Sequence, residues 1–300
     1  MLVAGETLPG GAVGESYGYG LLAKVFGEKG LAGYRLREEW CGHRDCVLLV
    51  AVEGPEGAGV TLTVQLLARM FRWLARDPED VVVLKFPSNE ATGHVARLVD
   101  RLKGYKSQLL WLAKALLFQA DFLYNFYLNL EDLRRPPTVV VFDRYKYSWL
   151  GFQLSNLEPW LAERLYELLP PAHILVIVDR DLGEGGEVLA DKGDARFFMT
   201  APLEFEKMRW VYSLVEEYLE KEVPLDCHGE GCVDSPWRRF RLFKNLAYPW
   251  KPPKVFRIET DYCSVPSDAC LESLVGRFVK IVKFLESKGV VEKRQQSLPR

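Results

Sequence analysis

Val47–Thr63 reads VLLVAVEGPEGAGVTLT: an apolar run from Val47 to Val52, a glycine-rich turn, and then a helix-like pattern. Strand, tight turn and helix in that order suit phosphate chemistry. Glycines let the backbone curl its N–H groups around an anion, and the helix N-terminus adds partial positive charge. Against the phosphate-loop pattern G-x-x-x-x-G-K-[ST] the chain supplies Gly54, Gly59 and Thr61, with Glu53 before the turn and Glu56 and Gly57 inside it. The lysine position is Val60, so the loop lacks its point charge. A second polar stretch, Asp143-Arg144-Tyr145, directly follows the apolar run Thr138–Phe142.

The elements that must position these residues alternate along the chain. Buried strands are predicted at Val47–Val52, Val81–Leu84, Thr138–Phe142, Ile174–Val178 and Lys254–Ile258. Between and after them, helices are predicted at Leu62–Leu74, Gly93–Leu102, Leu109–Leu130, Leu157–Leu169, Pro202–Glu222 and Cys270–Ser287. Alternation of this kind implies an α/β fold with a parallel sheet covered on both faces. Right-handed crossovers then bring Gly54–Thr61, Lys85–Asn89 and Asp143–Tyr145 to one sheet edge, where a site is expected.

Composition narrows the function classes. A net charge of −2 over 300 residues provides no global attraction to nucleic acid or anionic membrane. No apolar window reaches the roughly 18 residues of a spanning helix, and the N-terminus lacks a secretion signal, so a cytoplasmic protein is expected. Asn and Gln total 11, a depletion that points towards a thermophile. Residues 1–46 form a glycine-rich extension, expected to be a loosely ordered arm with at most a short helix near Leu21–Phe26. Residues 226–253 form an insert whose aromatics are expected to cover the sheet edge or a dimer contact while its charges face water, rather than bind single-stranded nucleic acid. Residues 288–300 are expected to fray.

Asp143-Arg144-Tyr145, Ser148 and Phe152-Gln153 resemble the D-R-Y-x-x-S-x-x-A-[YF]-Q signature of thymidylate kinases, with Gly151 at the alanine. Lys85-Phe86-Pro87 is similar to that family's second-strand exit, Leu116 to Asp121 to its L-L-F-x-A-[DN]-R helix, and Val52-Glu53-Gly54 to the opening of its phosphate loop. The resemblance covers residues 47–225 with the last strand and helix. It implies a three-layer αβα P-loop NTPase fold with a five-stranded parallel sheet over residues 47–287, and a lid at about 180–200. It further implies transfer of the γ-phosphoryl of ATP to dTMP with magnesium, and a homodimer.

By the same resemblance, Arg144 grips the acceptor phosphate, Asp143 and Thr61 hold the magnesium shell, and Phe118 stacks on the base. Glu56 lies near the acceptor phosphate, Ser148 and Gln153 line the acceptor side, and Tyr145 belongs to the nucleotide- or phosphate-binding set. Three positions depart from the family pattern, all in charge: Val60 for lysine, Asn89 for arginine and Phe122 for arginine. Lys192 and Arg196 in the lid, or Lys85, are the candidates to restore the cation. The alternative is a non-catalytic relative that binds nucleotide or a protein partner. Cys41 and Cys46 with Cys227 and Cys232 form two C-x4-C pairs, read as disulfides or free thiols ahead of a structural zinc site.

Overall fold

Leu48–Glu53 is buried along its whole length and has a parallel neighbour on each side. The computed structural model describes residues 20, 23–31, 33–37, 39–41, 46–55, 57–86, 108–126, 138–180, 202–221, 246–260 and 268–293. In chain order its elements are β1 (Tyr34–Leu36), β2 (Leu48–Glu53), α1 (Val60–Leu74), β3 (Val81–Lys85), α2 (Gln108–Phe126), β4 (Val139–Asp143), α3 (Lys146–Asn156), α4 (Pro159–Tyr166), β5 (Ile174–Asp179), α5 (Pro202–Lys221), β6 (Lys254–Glu259), α6 (Asp268–Ser287) and β7 (Val291–Lys293). Strands β2 to β6 make one five-stranded sheet in the order β3-β4-β2-β5-β6, and every pairing is parallel.

The period-2 alternation of β2 sorts its side chains into two cores. Leu48, Val50 and Val52 face α1 and α6, while Leu49 and Ala51 join a second cluster with α2, α3 and α5. The result is the three-layer αβα arrangement implied by the sequence. α3 and α5 approach so closely that a Cβ on Gly151 would lie 2.3 Å from Val211 Cγ1 and 3.0 Å from the Val211 carbonyl. That explains why glycine stands where the thymidylate kinase signature has alanine.

All five predicted strands start within a residue of the observed one, and all five end one residue early. The residues added at the C-terminal ends are Glu53, Lys85, Asp143, Asp179 and Glu259. Apolar runs stop where polarity changes, but a parallel ladder continues regardless of side-chain type. Helix α3 was not predicted as a separate element, and α4 is shorter than the predicted Leu157–Leu169. Residues 93–102 and 181–200, with Lys192 and Arg196, lie outside the described residues, as does most of the insert.

Both chain ends correct the sequence reading. Residues 23–28 are helical, in line with the short helix expected near Leu21–Phe26, but Val25, Phe26, Leu31, Leu36 and Trp40 are buried in the α1/α6 core. β1 pairs antiparallel with β7, with Leu36 opposite Val291. This part of the extension is therefore a packed part of the domain, and Val291–Lys293 belongs to a two-stranded sheet rather than a frayed tail. Glycine density hid the few apolar residues that anchor the arm. The end of the insert also packs: Tyr248 Oη donates to the Pro171 carbonyl at 2.7 Å and Trp250 Nε1 to the His173 carbonyl at 3.0 Å.

Phe26 distinguishes a packed arm from a loose one. Phe26→Ala is expected to lower unfolding stability by about 3 kcal/mol in a denaturant titration, the usual scale for emptying a buried phenylalanine site. A change near zero would restore the loose-arm reading.

Candidate phosphate-binding site

The loop is fastened from behind. Gly54 crosses the end of β5 so closely that a Cβ would sit 2.3 Å from the Val178 carbonyl oxygen, which only glycine tolerates. The Gly54 carbonyl accepts from Arg144 Nη1 at 2.9 Å and from Tyr212 Oη at 3.2 Å. The Pro55 carbonyl accepts from Ala58 N at 3.2 Å and the Gly57 carbonyl from Arg180 Nη1 at 3.4 Å. Thr260 Oγ1 donates to the Ala58 carbonyl at 2.6 Å, and Thr63 Oγ1 to the Gly59 carbonyl at 2.9 Å. Five carbonyls of the turn are thus engaged by the protein.

The amide side of the turn is the counterpart. Gly59, at φ 90°, occupies the left-handed region and opens α1. No side chain caps that helix, and its first turn carries no acidic residue. First-turn amides have no intrahelical acceptor and lie at the positive end of the helix dipole. Val60 is buried at 6% exposure within the α1/α6 core, so the lysine position offers packing and no charge.

Glu53 ties the loop to the Asp143-Arg144-Tyr145 turn. Its carboxyl is 0% exposed and receives Tyr145 N at 2.7 Å, Ser148 N at 3.2 Å and Tyr212 Oη at 3.2 Å, together with the Ser148 hydroxyl. Burial pushes its pKa up to about 7 against the lowering effect of these donors and Arg144. Arg144 sits at φ 68°, a conformation costing a non-glycine residue about 1–3 kcal/mol. It is held there by Arg144 N donating to the Val52 carbonyl at 3.0 Å and by its bond to Gly54.

Asp143, at the end of β4, is buried, and its Oδ2 accepts from Thr61 Oγ1 at 3.3 Å. Both are hard oxygen donors at the amide end of the loop. Magnesium in such sites takes one or two protein oxygens and fills its shell with phosphate and water, so this pair fits the ion. Among the described residues no cluster of three or more His, Cys, Asp or Glu gathers elsewhere for a metal. Cys41 and Cys46 form a disulfide with a Cα–Cα distance of 5.9 Å, so they are not thiolate ligands for zinc. Cys227 and Cys232 lie outside the described residues.

Other predicted site residues fall elsewhere. Phe118 is 2% exposed and stacks on Trp149 at 3.6 Å between ring centroids. Tyr145 is fully buried, stacked on Phe142 at 4.3 Å with its hydroxyl donating to the Pro170 carbonyl at 2.9 Å, and acts as a pin rather than a nucleotide contact. Ser148 is spent on Glu53 rather than lining the acceptor side. Phe122, at the motif's arginine, is buried 4.1 Å from the Phe86 ring, so an aromatic contact replaces that charge. Lys85 is exposed and lies in register with Asp143. Glu56 and the side chain of Gln153 are not described. Tyr212, Thr260 and Arg180 join the site unpredicted, because nothing in their local sequence marks them as loop partners.

The fold and this loop define a P-loop α/β protein. No protein-family model matches the chain. Sequence matches carry the name thymidylate kinase as an assignment: one from Thermococcus onnurineus is 30% identical over 124 residues, spanning 39% of this chain and 58% of that protein. One from Aeropyrum pernix is 36% identical over 135 residues, spanning 44% of this chain and 61% of that protein. A solved structure titled thymidylate kinase, from Ehrlichia chaffeensis, aligns with 80% of this chain and 98% of its own at a TM-score of 0.46 and 16% identity. The chain is thus similar in sequence to proteins named thymidylate kinase over part of its length, and the aligned part spans about three-fifths of the length of these two relatives.

Glu53 sets a pH signature. Its raised folded-state value means that its contribution to stability is fully present below pH 4.5 and is lost as pH rises to about 7. His173 works in the opposite sense, since burial lowers it to about 4, so the two slopes oppose each other in the parent protein. Glu53→Gln keeps the amide acceptor and can donate to Ser148 and Tyr212. Relative to the parent, its stability is expected to rise by about 3 kcal/mol between pH 4.5 and 7. A difference independent of pH would contradict a raised carboxyl at this position.

Proposed function

We propose that the protein is a nucleoside monophosphate kinase that moves the γ-phosphoryl of ATP to dTMP. The observation that carries this reading is the pairing of Thr61 with Asp143 beside a turn whose carbonyls are tied back and whose helix N-terminus carries no acidic cover. An oxygen of the acceptor phosphate forms a bond to the γ-phosphorus as the β–γ bridging bond breaks, and ADP leaves. Such a transfer needs positioning and charge neutralisation more than covalent chemistry.

The loop amides cradle the donor phosphates, and Arg144, a planar fork held on the Gly54 carbonyl, faces the acceptor. Thr61 and Asp143 would hold magnesium, which when bound neutralises charge on the transferring group. Lys192 and Arg196 are the lid cations that the sequence offers in place of the lost lysine. Val60, packed into the core, favours a second reading: a nucleotide-binding relative that has given up catalysis. The relatives' names and the motif order support dTMP as the first acceptor to test.

A coupled assay with ATP, magnesium and dTMP separates the two readings. Turnover is expected, and Asp143→Asn and Arg144→Ala should each reduce kcat/KM by about two decades, corresponding to roughly 3 kcal/mol of transition-state stabilisation. Folded protein that binds ADP but shows no turnover with any monophosphate would establish the non-catalytic reading instead.

A further inference from the structure

Arg180 is the first residue beyond β5, and its guanidinium lies against the phosphate loop: Nη1 donates to the Gly57 carbonyl at 3.4 Å across 123 positions of sequence. We infer that Arg180 supplies the positive charge that Val60 removed from the loop, contacting donor phosphates from the β5 side. This rests on the phosphate-binding part of the proposed function and names the group that completes it.

Three observations converge on that residue. The loop runs across the end of β5, where the Val178 carbonyl meets Gly54, so the residue after the strand is set beside the turn. The backbone there is fixed, with Arg180 N donating to Asp179 Oδ1 at 2.8 Å and the Asp179 carbonyl accepting from Thr260 N at 2.8 Å. The same Thr260 holds the Ala58 carbonyl, so strand end and loop form one unit.

The charge balance points the same way. Asp179, the obvious partner for a neighbouring arginine, is already engaged by Arg209 Nε at 2.9 Å and Arg257 Nη1 at 2.7 Å. Two guanidinium groups thus compensate that carboxylate before Arg180 is counted. Among the described residues, the guanidinium of Arg180 bonds to a neutral carbonyl, at a length a charged phosphate oxygen would improve on. Arg180 is partly exposed and its planar fork can engage two phosphate oxygens at once. Arg144 follows β4 and Arg180 follows β5, the strands on either side of β2, so the two arginines approach the loop from its two flanks.

The test uses the full chain and titrates ATP, inorganic tripolyphosphate and adenosine calorimetrically. Arg180→Ala is expected to weaken ATP and tripolyphosphate at least tenfold while leaving adenosine unchanged. Arg180→Lys should keep most of the affinity, and Val60→Lys added to Arg180→Ala should restore it. Circular dichroism on each variant confirms folding, and Arg180→Lys keeps the test open where Arg180→Ala misfolds. Equal tripolyphosphate affinity in parent and Arg180→Ala overturns the inference, as does a parent protein that binds neither polyphosphate nor ATP. So does a loss seen only in Lys192→Ala and Arg196→Ala, which would assign the charge to the lid. If ATP binds and responds to Arg180 but no monophosphate is phosphorylated, the kinase reading alone fails.

Discussion

One buried carboxyl holds the candidate site together. Glu53 ends the central strand and is met by donors from three places: the amide of Tyr145 after β4, the amide and hydroxyl of Ser148 in α3, and the hydroxyl of Tyr212 in α5. Isolated in an apolar interior it would be costly; with these partners it becomes a fixed junction. Tyr212 and Arg144 both continue from that junction to the Gly54 carbonyl, so the loop's first turn and the arginine turn cannot move independently. The left-handed Arg144 is held beside that junction by its own N–H on the Val52 carbonyl and its guanidinium on the Gly54 carbonyl. Phosphate loop and arginine turn are, in effect, one rigid piece built around a carboxyl.

From that piece follows the polarity of the loop. Its carbonyls are engaged by Arg144, Tyr212, Arg180, Thr260 and Thr63, and the start of α1 has neither a side-chain cap nor an acidic residue in its first turn. Backbone amides and a helix dipole position phosphate, yet they carry only partial charge. A lysine ordinarily adds the full charge, and here its place is taken by a valine buried in the core. Under the proposed function compensation comes from outside the loop, and Arg180, directly after β5, reaches the Gly57 carbonyl.

Much of this architecture was legible in the sequence because buried parallel strands read as apolar runs and their order fixes which ends converge. The same signal fails at the residues that matter most. Glu53, Asp143 and Asp179 are strand residues by hydrogen bonding but polar by type, so apolar runs end before them. The motifs put Asp143, Arg144 and Thr61 on the loop edge, while the rings of Phe118 and Tyr145 stack on Trp149 and Phe142. Helical spacing alone favours a core role for such aromatics. Arg180, Tyr212 and Thr260 depend on contacts from distant chain positions, which no local pattern encodes. The arm around Phe26 was hidden by its glycines, and the β1–β7 pair by strands of three residues.

Under the proposed function the amides running from Gly57 into the first turn of α1 receive a polyphosphate. Hydrogen exchange measured peptide by peptide, with and without saturating ATP and magnesium, addresses it directly. Slowed exchange is expected across residues 54–63 and at the residues following β4 and β5, with β1 and β7 unchanged. Bound ATP with unchanged exchange in the loop, or protection confined to a different face of the sheet, would contradict it.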